Sequence, residues 1–367
     1  MNKKLLAAAV AAAVVASPAA FAESTVYGKM HASIDAIDYE TSNEDNYEVN
    51  SRASRLGFKG SEDLGNGLKA IYQIELGIDI NSSGADGQAA RNSGAGSDGG
   101  GFWGTKTRNT FVGLSGDWGT VLVGRHDTPA KMAFYAAGNE RLGDSVIDLN
   151  LGNNLTGAPS TNAPIGVFHE YRADDAIAYV SPNFSGFTVV GAMIPGEDNK
   201  ATTAQTFGSE RDGIADHYSL GAMYKGNGLK ASVGYASYDL DGPSTVNNNL
   251  DDYEVMQAGA SYTMNNFSFG AQYEDSENPG GTKADYTAWA VTGKFTFGNN
   301  AISAVYTYAE YEPSSSVCSN CDIDRGGWGL AAEHNFSKRT KVYAAYAAGE
   351  NDYDTVGVDD EDDDVFS

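Results

Sequence analysis

Two cysteines form the clearest chemical motif in the chain, in the run CSNC. Cys318 and Cys321 have the spacing of redox-active or zinc-binding pairs. The sequence holds no second pair of this kind to complete a zinc site, and no histidine lies close to the first. In an oxidising compartment the same spacing suits a local disulfide that closes a loop. We therefore predict a disulfide between Cys318 and Cys321, with redox or metal chemistry as the alternative.

Histidines and hydroxyl nucleophiles show no catalytic arrangement. The five histidines are scattered at positions that give no metal-ligand spacing, and no G-x-S-x-G sequence marks a serine nucleophile. His169 stands beside Glu170, and we interpret it as an interior or rim residue and not as a catalytic base. These residue types predict no catalytic residue, no metal centre and no cofactor.

Acidic residues supply the strongest charge signal. They outnumber the basic residues by 49 to 24, which gives a formal net charge of −25. So negative a chain repels nucleic acid and attracts cations. Carboxylates also gather in the runs DNYE, DDYE and DDEDDD, and such oxygen ligands suit Ca²⁺ or Mg²⁺. We expect these runs either to hold such ions or to be solvated and mutually repulsive.

The N-terminal segment has the features of an export signal. Lys3 and Lys4 precede an apolar stretch, and Ala20-Phe21-Ala22 forms a small-x-small cleavage site. We predict a signal peptide over residues 1–22, with a buried N-terminal helix as the alternative. Residues 23–367 would then form one exported domain.

Alternating residues predict that this domain is all-β. In NFSFGAQYE, Phe267, Phe269 and Tyr273 fall on one side of a strand, while Gln272 and Glu274 fall on the other. The same period of two recurs along the chain, for example over 67–80, 228–239 and 283–297. No run after the signal is apolar enough for a membrane-spanning helix, so only a closed barrel of strands would cross a bilayer.

The connections between the predicted strands favour that barrel over a soluble sandwich. Tight turns such as EDLGNG, SGDWG and KGNG alternate with long polar connections over 81–104, 128–168 and 196–214. Short turns at one end and long loops at the other are typical of an outer-membrane barrel.

The strand count implies that the last strand is incomplete. We predict fifteen complete strands, whereas bacterial single-chain barrels have an even number. We therefore expect a transmembrane antiparallel β-barrel of sixteen strands in which DDEDDD belongs to a loop and VFS opens a truncated final strand. The alternative is a barrel of fourteen strands with one segment wrongly assigned.

Four stretches together resemble a known family, the trimeric general-diffusion porins of Gram-negative outer membranes. They are TVYGKMHASID near residue 25, SRLGFKGSEDLGNGLKAIYQIE from Ser54, TRNTFVGLSGDWGTVLVGRHDTP from Thr107 and AIAYVSPNFSGF from Ala176. The resemblance covers the whole exported domain. One departure is the last residue: the family ends in an aromatic residue, whereas this chain ends at Ser367.

The resemblance implies a constricted pore. In the family the third long loop, here about 128–168, folds into the barrel, and it carries Glu140, Asp144 and Asp148. The matched positions place basic residues on the opposite inner wall, and Arg125 is a further candidate. The matched wall residues are Lys29, Arg55, Arg108 and Arg172. The alternative is that these are ordinary solvated charges without a shared role.

The function implied is passive diffusion of small hydrophilic solutes and ions through an outer-membrane homotrimer. Divalent ions at the acidic loops would bridge to lipopolysaccharide phosphates, and the net acidity predicts a mild preference for cations. The alternatives are a substrate-specific channel, a barrel enzyme such as a lipase, and adhesion through the long loops.

Overall fold

A single antiparallel sheet accounts for almost all of the regular structure. The computed structural model describes residues 23–39, 46–80, 107–151, 164–196, 213–239, 252–279, 283–314, 322–354 and 361–367. The strands are β1 (Glu23–Lys29), β2 (Ala32–Tyr39), β3 (Asn46–Ser51), β4 (Arg55–Gly65), β5 (Leu68–Gly77), β6 (Thr110–Gly116), β7 (Gly119–Asp127), β8 (Arg172–Val180), β9 (Phe187–Ile194), β10 (His217–Gly226), β11 (Leu229–Tyr238), β12 (Tyr253–Met264), β13 (Phe267–Glu277), β14 (Ala284–Phe297), β15 (Asn300–Pro313), β16 (Ile323–Asn335), β17 (Lys341–Tyr353) and β18 (Glu361–Phe366). One helix, α1 (Pro129–Ala136), follows β7.

The two faces of the sheet have opposite chemistry, as the alternation predicts. On β13 the side chains of Phe267 and Phe269 are more than half exposed, whereas Gln272 and Glu274 on the other face are 2% and 0% exposed. An apolar outer face and a polar inner face suit strands that separate hydrocarbon from water. None of the helices in the described residues is long and apolar enough to cross a membrane.

The sheet closes on itself, which confirms the predicted β-barrel. Consecutive strands pair antiparallel from β4 to β18, and β18 then pairs with β2 through Phe366↔Ala36 and Asp363↔Tyr39. Closure matters because lipid offers no hydrogen-bond partner to an exposed strand edge.

The first two barrel strands are each interrupted once. We predict one strand over 24–38, but the structure has β1 and β2 separated at Met30 and His31. The neighbouring strand breaks at the same level, between β3 and β4, where Ala53 has a φ of +48°. Ser54 bridges the break, since its hydroxyl donates to the His31 carbonyl and accepts from the His31 amide. β1 and β2 together cross the barrel wall once, and so do β3 and β4. The 18 strand elements therefore correspond to the sixteen predicted strands.

The last strand begins earlier than we predict. Glu361–Phe366 is already strand, so four residues assigned to an acidic loop pair with β17 and β2 instead. Val365 points inward, where it is buried with Ile37, and Phe366 points outward. That further residues complete this strand stays a prediction.

Asparagine and glycine form the tight turns at one end of the barrel, which we call the short-turn end. Asn66, Asn227 and Asn265 have φ values of +53°, +51° and +53° in connections between neighbouring strands. Two-residue hairpins need this left-handed backbone, and asparagine and glycine adopt it at little cost. The strand ends that lead into the long connections lie at the opposite end.

The outward face predicts how a charge would act at one strand position. Leu220 on β10 is 54% exposed on the outer face, and a lysine near the bilayer midplane costs about 2–4 kcal/mol. We expect Leu220→Lys to lower the free energy of unfolding in lipid vesicles by about that amount, measured by denaturant titration. The matched control is Met223→Lys on the inner face of the same strand, where water solvates the charge. An equal loss in both variants would contradict the assigned faces.

Candidate functional site

The connection between β7 and β8 is described over residues 128–151 and 164–171. Both parts lie against the inner wall of the barrel, and we call these two parts the inner loop. Its helix begins at Thr128, whose hydroxyl accepts a hydrogen bond from the Lys131 amide, and Pro129 occupies the first turn. Wall serines fix the helix at successive points. Ser219 Oγ accepts from Ala130 N at 3.0 Å, Ser232 Oγ donates to Ala133 O at 2.6 Å, and Ser261 Oγ donates to Ala137 O at 2.6 Å.

Two wall glycines let the helix approach this closely. A Cβ atom at Gly221 would lie 2.7 Å from the Pro129 carbonyl oxygen, and one at Gly234 would lie 2.7 Å from Ala130 Cα. Both contacts are with backbone, which has no room to move aside. The inner surface of β10 and β11 is therefore shaped for the helix.

An apolar seam holds the second part of the inner loop to the opposite wall. Ile147, Ile165 and Val167 are fully buried. They lie in one cluster with small inward residues of β14 to β17, namely Ala288, Ala290, Ala331, Ala345 and Ala347. The barrel therefore encloses a dry core on one side of its lumen, and this core fixes the loop by burying apolar surface.

A buried polar contact closes the loop at its far end. His169 Nδ1 lies 2.5 Å from Glu274 Oε1, and Glu274 Oε2 accepts from the His169 amide at 2.9 Å. Gln257 Nε2 donates both to Glu274 Oε2 and to the His169 carbonyl, at 2.6 Å each. The structure thus gives His169 an anchoring role, because a buried carboxylate is tolerated only when its oxygens are bonded.

The structure brings Lys29, Arg55 and Arg108 together on the wall that the loop leaves open. Lys29 and Arg55 are register partners on β1 and β4. Lys29 Nζ reaches across to Asp144 Oδ2 of the inner loop at 2.6 Å. Arg108 Nε bonds Glu75 Oε1 at 2.6 Å. Arg55 has no carboxylate within ion-pair distance among the described residues.

The two other predicted wall residues lie elsewhere. Arg172 is buried at the base of the inner loop, where Nη2 is 2.7 Å from Asp127 Oδ1 and Nε donates to Asn109 Oδ1. Arg125 comes two residues after Val123, which faces outward, so it falls on the same outer face. Its register partner is Thr110, and its guanidinium bonds the exposed carboxylate of Asp174. The adjacent β-bulge adds its extra residue to β8, between Ala173 and Ala176, so β7 keeps its alternation and Arg125 stays on the outer face. Arg125 is therefore not part of the inner wall, contrary to our prediction.

Of the three predicted loop acids, only Asp144 contacts a wall cation. Glu140 and Asp148 are turned into the loop instead: Glu140 Oε1 accepts from the Leu149 amide at 3.2 Å, and Asp148 Oδ2 accepts from the Asp144 amide at 2.6 Å. Burial and the neighbouring carboxylates raise the pKa of Asp148 to about 6, and burial raises the pKa of Glu140 as well. The two carboxyl groups therefore accept hydrogen bonds from the backbone of the loop and stabilise its conformation.

Sequence reasoning missed Glu75 and Tyr27. Tyr27 Oη donates to Glu75 Oε2 at 2.8 Å, so both residues join the cluster around Arg108. Alternation places Glu75 on the polar face of its strand, but nothing in the sequence distinguishes it from other polar-face residues. Its role depends on which side chain the fold places opposite.

Several other predictions fall outside the described residues. The signal peptide over 1–22 and the Cys318–Cys321 disulfide both do so, as do parts of the three acidic runs. Over the ranges that the structure covers, no group of three or more potential ligands is arranged to hold a metal ion. The disulfide and the binding of Ca²⁺ or Mg²⁺ remain predictions.

Comparison with known proteins gives consistent matches over nearly the full chain. The family model described as Gram-negative porin matches residues 7–354. The major outer membrane protein P.IB of Neisseria gonorrhoeae is 28% identical over 359 residues, which cover 93% of this chain and 92% of that protein.

Solved structures share the fold. An anion-selective porin from Comamonas acidovorans superposes with a TM-score of 0.68 at 22% identity, over 94% of this chain and 98% of that one. A trimer form of OmpT, an outer membrane protein of Vibrio cholerae, gives a TM-score of 0.59 at 18% identity, over 94% and 98% of the two chains.

The buried carboxyl groups of Glu140 and Asp148 predict that the stability of the protein depends on pH. A carboxyl whose pKa is raised in the fold stabilises the fold while protonated, and that contribution is lost as pH rises through its folded pKa. For Asp148 the window runs from its ordinary value of 3.8 to about 6. We expect wild type to lose thermal stability relative to Asp148→Asn as pH rises through this window, measured as Tm in detergent micelles.

The matched control for this measurement is Glu62→Gln, which removes an exposed carboxylate near the short turns. Its Tm should follow the wild-type curve across the same pH range. Parallel curves for wild type and Asp148→Asn would show that the carboxyl does not titrate in the fold as described.

Proposed function

Because this chain belongs to the Gram-negative porin family, we propose that it is a passive channel through which small hydrophilic solutes and ions diffuse across the outer membrane. The observation that carries the proposal is the Lys29–Asp144 bridge. It ties the inner loop to one point of the wall, beside a cluster of basic side chains that the loop does not cover.

The arrangement supports a constriction with a transverse electric field. Asp144 supplies negative charge from the loop, while Lys29, Arg55 and Arg108 supply positive charge from the wall. A field of this kind orders water and orients dipolar solutes, so apolar molecules are disfavoured. The pore would therefore select for polarity without a tight binding site.

We propose only a weak preference between cations and anions. The net charge of −25 favours cations at the mouth, but the described wall includes unpaired cations such as Arg55. A structurally similar porin from Comamonas acidovorans is titled anion-selective. The net charge of the chain predicts a mild preference for cations, but the charges at the constriction do not favour cations.

We further propose that the channel performs no bond chemistry and assembles as a homotrimer. The first point is supported by membership of a family of channels. The second is supported by the trimer form of a structurally similar outer membrane protein. Contacts with lipopolysaccharide remain part of this proposal.

A substrate-specific channel is the competing function, and solute block of the ionic current would identify it. A general pore gives little block by uncharged sugars or peptides, whereas a specific channel gives saturable block. Absence of any conductance in planar bilayers would overturn both functions.

Arg55, which lacks a carboxylate partner among the described residues, allows a direct test of how the wall charges affect ion selectivity. One unit charge at about 7 Å in water changes an ion's free energy by roughly 0.6 kcal/mol. Removing the charge lowers the energy of a cation and raises that of an anion, and screening at about 0.1 M salt roughly halves each effect. We therefore expect Arg55→Gln to raise the cation-to-anion permeability ratio about two- to threefold, measured from the reversal potential in a KCl gradient of that ionic strength.

Arg125→Gln is the matched control, because Arg125 lies at the outer face and pairs with Asp174. That variant should leave the reversal potential unchanged. If the two variants behave alike, Arg55 does not line the conducting path.

A further inference from the structure

The lumen between the inner loop and the short turns is lined by lysines. Their register places them on the inner face of strands all around the barrel. They are Lys59, Lys69, Lys225, Lys230, Lys294 and Lys341. Among the described inward side chains in this half, the acids are Asp63, opposite Lys69, and Glu333, which bonds both Lys294 and Lys341. Basic side chains therefore predominate here, although the chain as a whole is strongly acidic.

Lys225 and Lys230 form the centre of this lining. They are register partners on β10 and β11, directly beside the tight turn that joins these strands. Neither has a carboxylate within ion-pair distance in the part of the chain that the structure describes. Two like charges placed opposite each other on one face repel, and an anion between them relieves that repulsion.

Arg141 extends the basic surface onto the inner loop. Its side chain is 8% exposed, and it donates to Thr292 Oγ1 and Ser268 Oγ at 2.8 Å each. Both partners are neutral. Lys230 lies under the same stretch of loop, since a Cβ atom at Gly138 would be 2.8 Å from Lys230 Nζ. The short-turn side of the loop thus faces cations and neutral hydroxyls.

The other side of the inner loop is organised differently. There the inward cations have carboxylate partners, as in Arg52 with Asp35, Arg108 with Glu75 and Arg172 with Asp127. Among the described side chains, the uncompensated positive charge of the lumen is therefore concentrated on the short-turn side.

We propose that the short-turn half of the lumen is an anion-binding vestibule, centred on Lys225 and Lys230, that takes small multivalent anions. This inference rests on the proposed channel function. A pore with uncompensated positive charge at one end accumulates ions under one polarity and is depleted of them under the other. The vestibule therefore gives two measurable properties: sided block by multivalent anions, and rectification of the current.

The test uses single channels of the full chain in planar bilayers, with inorganic pyrophosphate as the probe. It is added to one compartment and then to the other, at low ionic strength. We expect block to be stronger from the short-turn side, and the double variant Lys225→Gln/Lys230→Gln to weaken that block about tenfold. In the double variant the rectification should also decrease, so that the currents at equal and opposite voltages become more nearly equal.

The matched control is Lys338→Gln/Arg339→Gln, which removes two exposed cations from a short turn outside the lumen. It should leave both the block and the rectification as in wild type. The short-turn compartment is identified with a biotinylated Lys338→Cys variant, which binds streptavidin from that side only.

Block that is equal from both sides, or unchanged in the double variant, would overturn the vestibule. Either outcome would leave a conducting channel, so the proposed diffusion function would stand. Loss of all conductance in wild type would instead refute the function itself. A double variant with arginine at both positions separates charge from chain length: it should retain the block.

Discussion

Satisfaction of the backbone hydrogen bonds in hydrocarbon is the constraint on which this structure depends. Lipid offers no partner to an N–H or C=O group, and each unpaired group costs several kcal/mol. A closed sheet meets the requirement, and β18 supplies the closure by pairing with both β17 and β2. Closure in turn forces every strand to turn one face to lipid and the other to the lumen.

The inner loop is where the lumen acquires its shape. Its first part is held by serine hydroxyls and wall glycines, its second by an apolar seam, and its end by the buried pair of His169 and Glu274. These anchors are of different kinds and lie on different strands. The loop is consequently fixed at several independent points, and Asp144 is held where it meets Lys29.

The sign of the charge in the lumen differs from the sign of the net charge of the chain. The chain carries 49 acidic residues against 24 basic ones, yet the open wall at the constriction and the short-turn half of the lumen are predominantly basic among the described side chains. The inward acids Asp35 and Glu75 are each paired with an arginine, so they add no net negative charge to the lumen. Because screening is weak in a narrow, partly desolvated space, the local arrangement governs the passing ion more than the net charge does.

The sequence by itself determined the barrel, the face of most strands and the position of the tight turns. These features depend on alternation of residue types and on turn residues, which are local properties of the chain. It also determined that Lys29 and Arg55 point inward, because each belongs to a regular alternating strand. Arg108 precedes β6, and its contact with Glu75 depends on the fold.

Only the tertiary structure decided which inward residues meet. Arg125 lies on the outer face with Asp174, Arg172 is buried at the base of the loop, and Glu140 and Asp148 bond within the loop. The alanines that receive the apolar seam have no local signal that distinguishes them from other small residues. The seam joins segments more than a hundred residues apart, and a periodic pattern contains no information about the partner across the lumen.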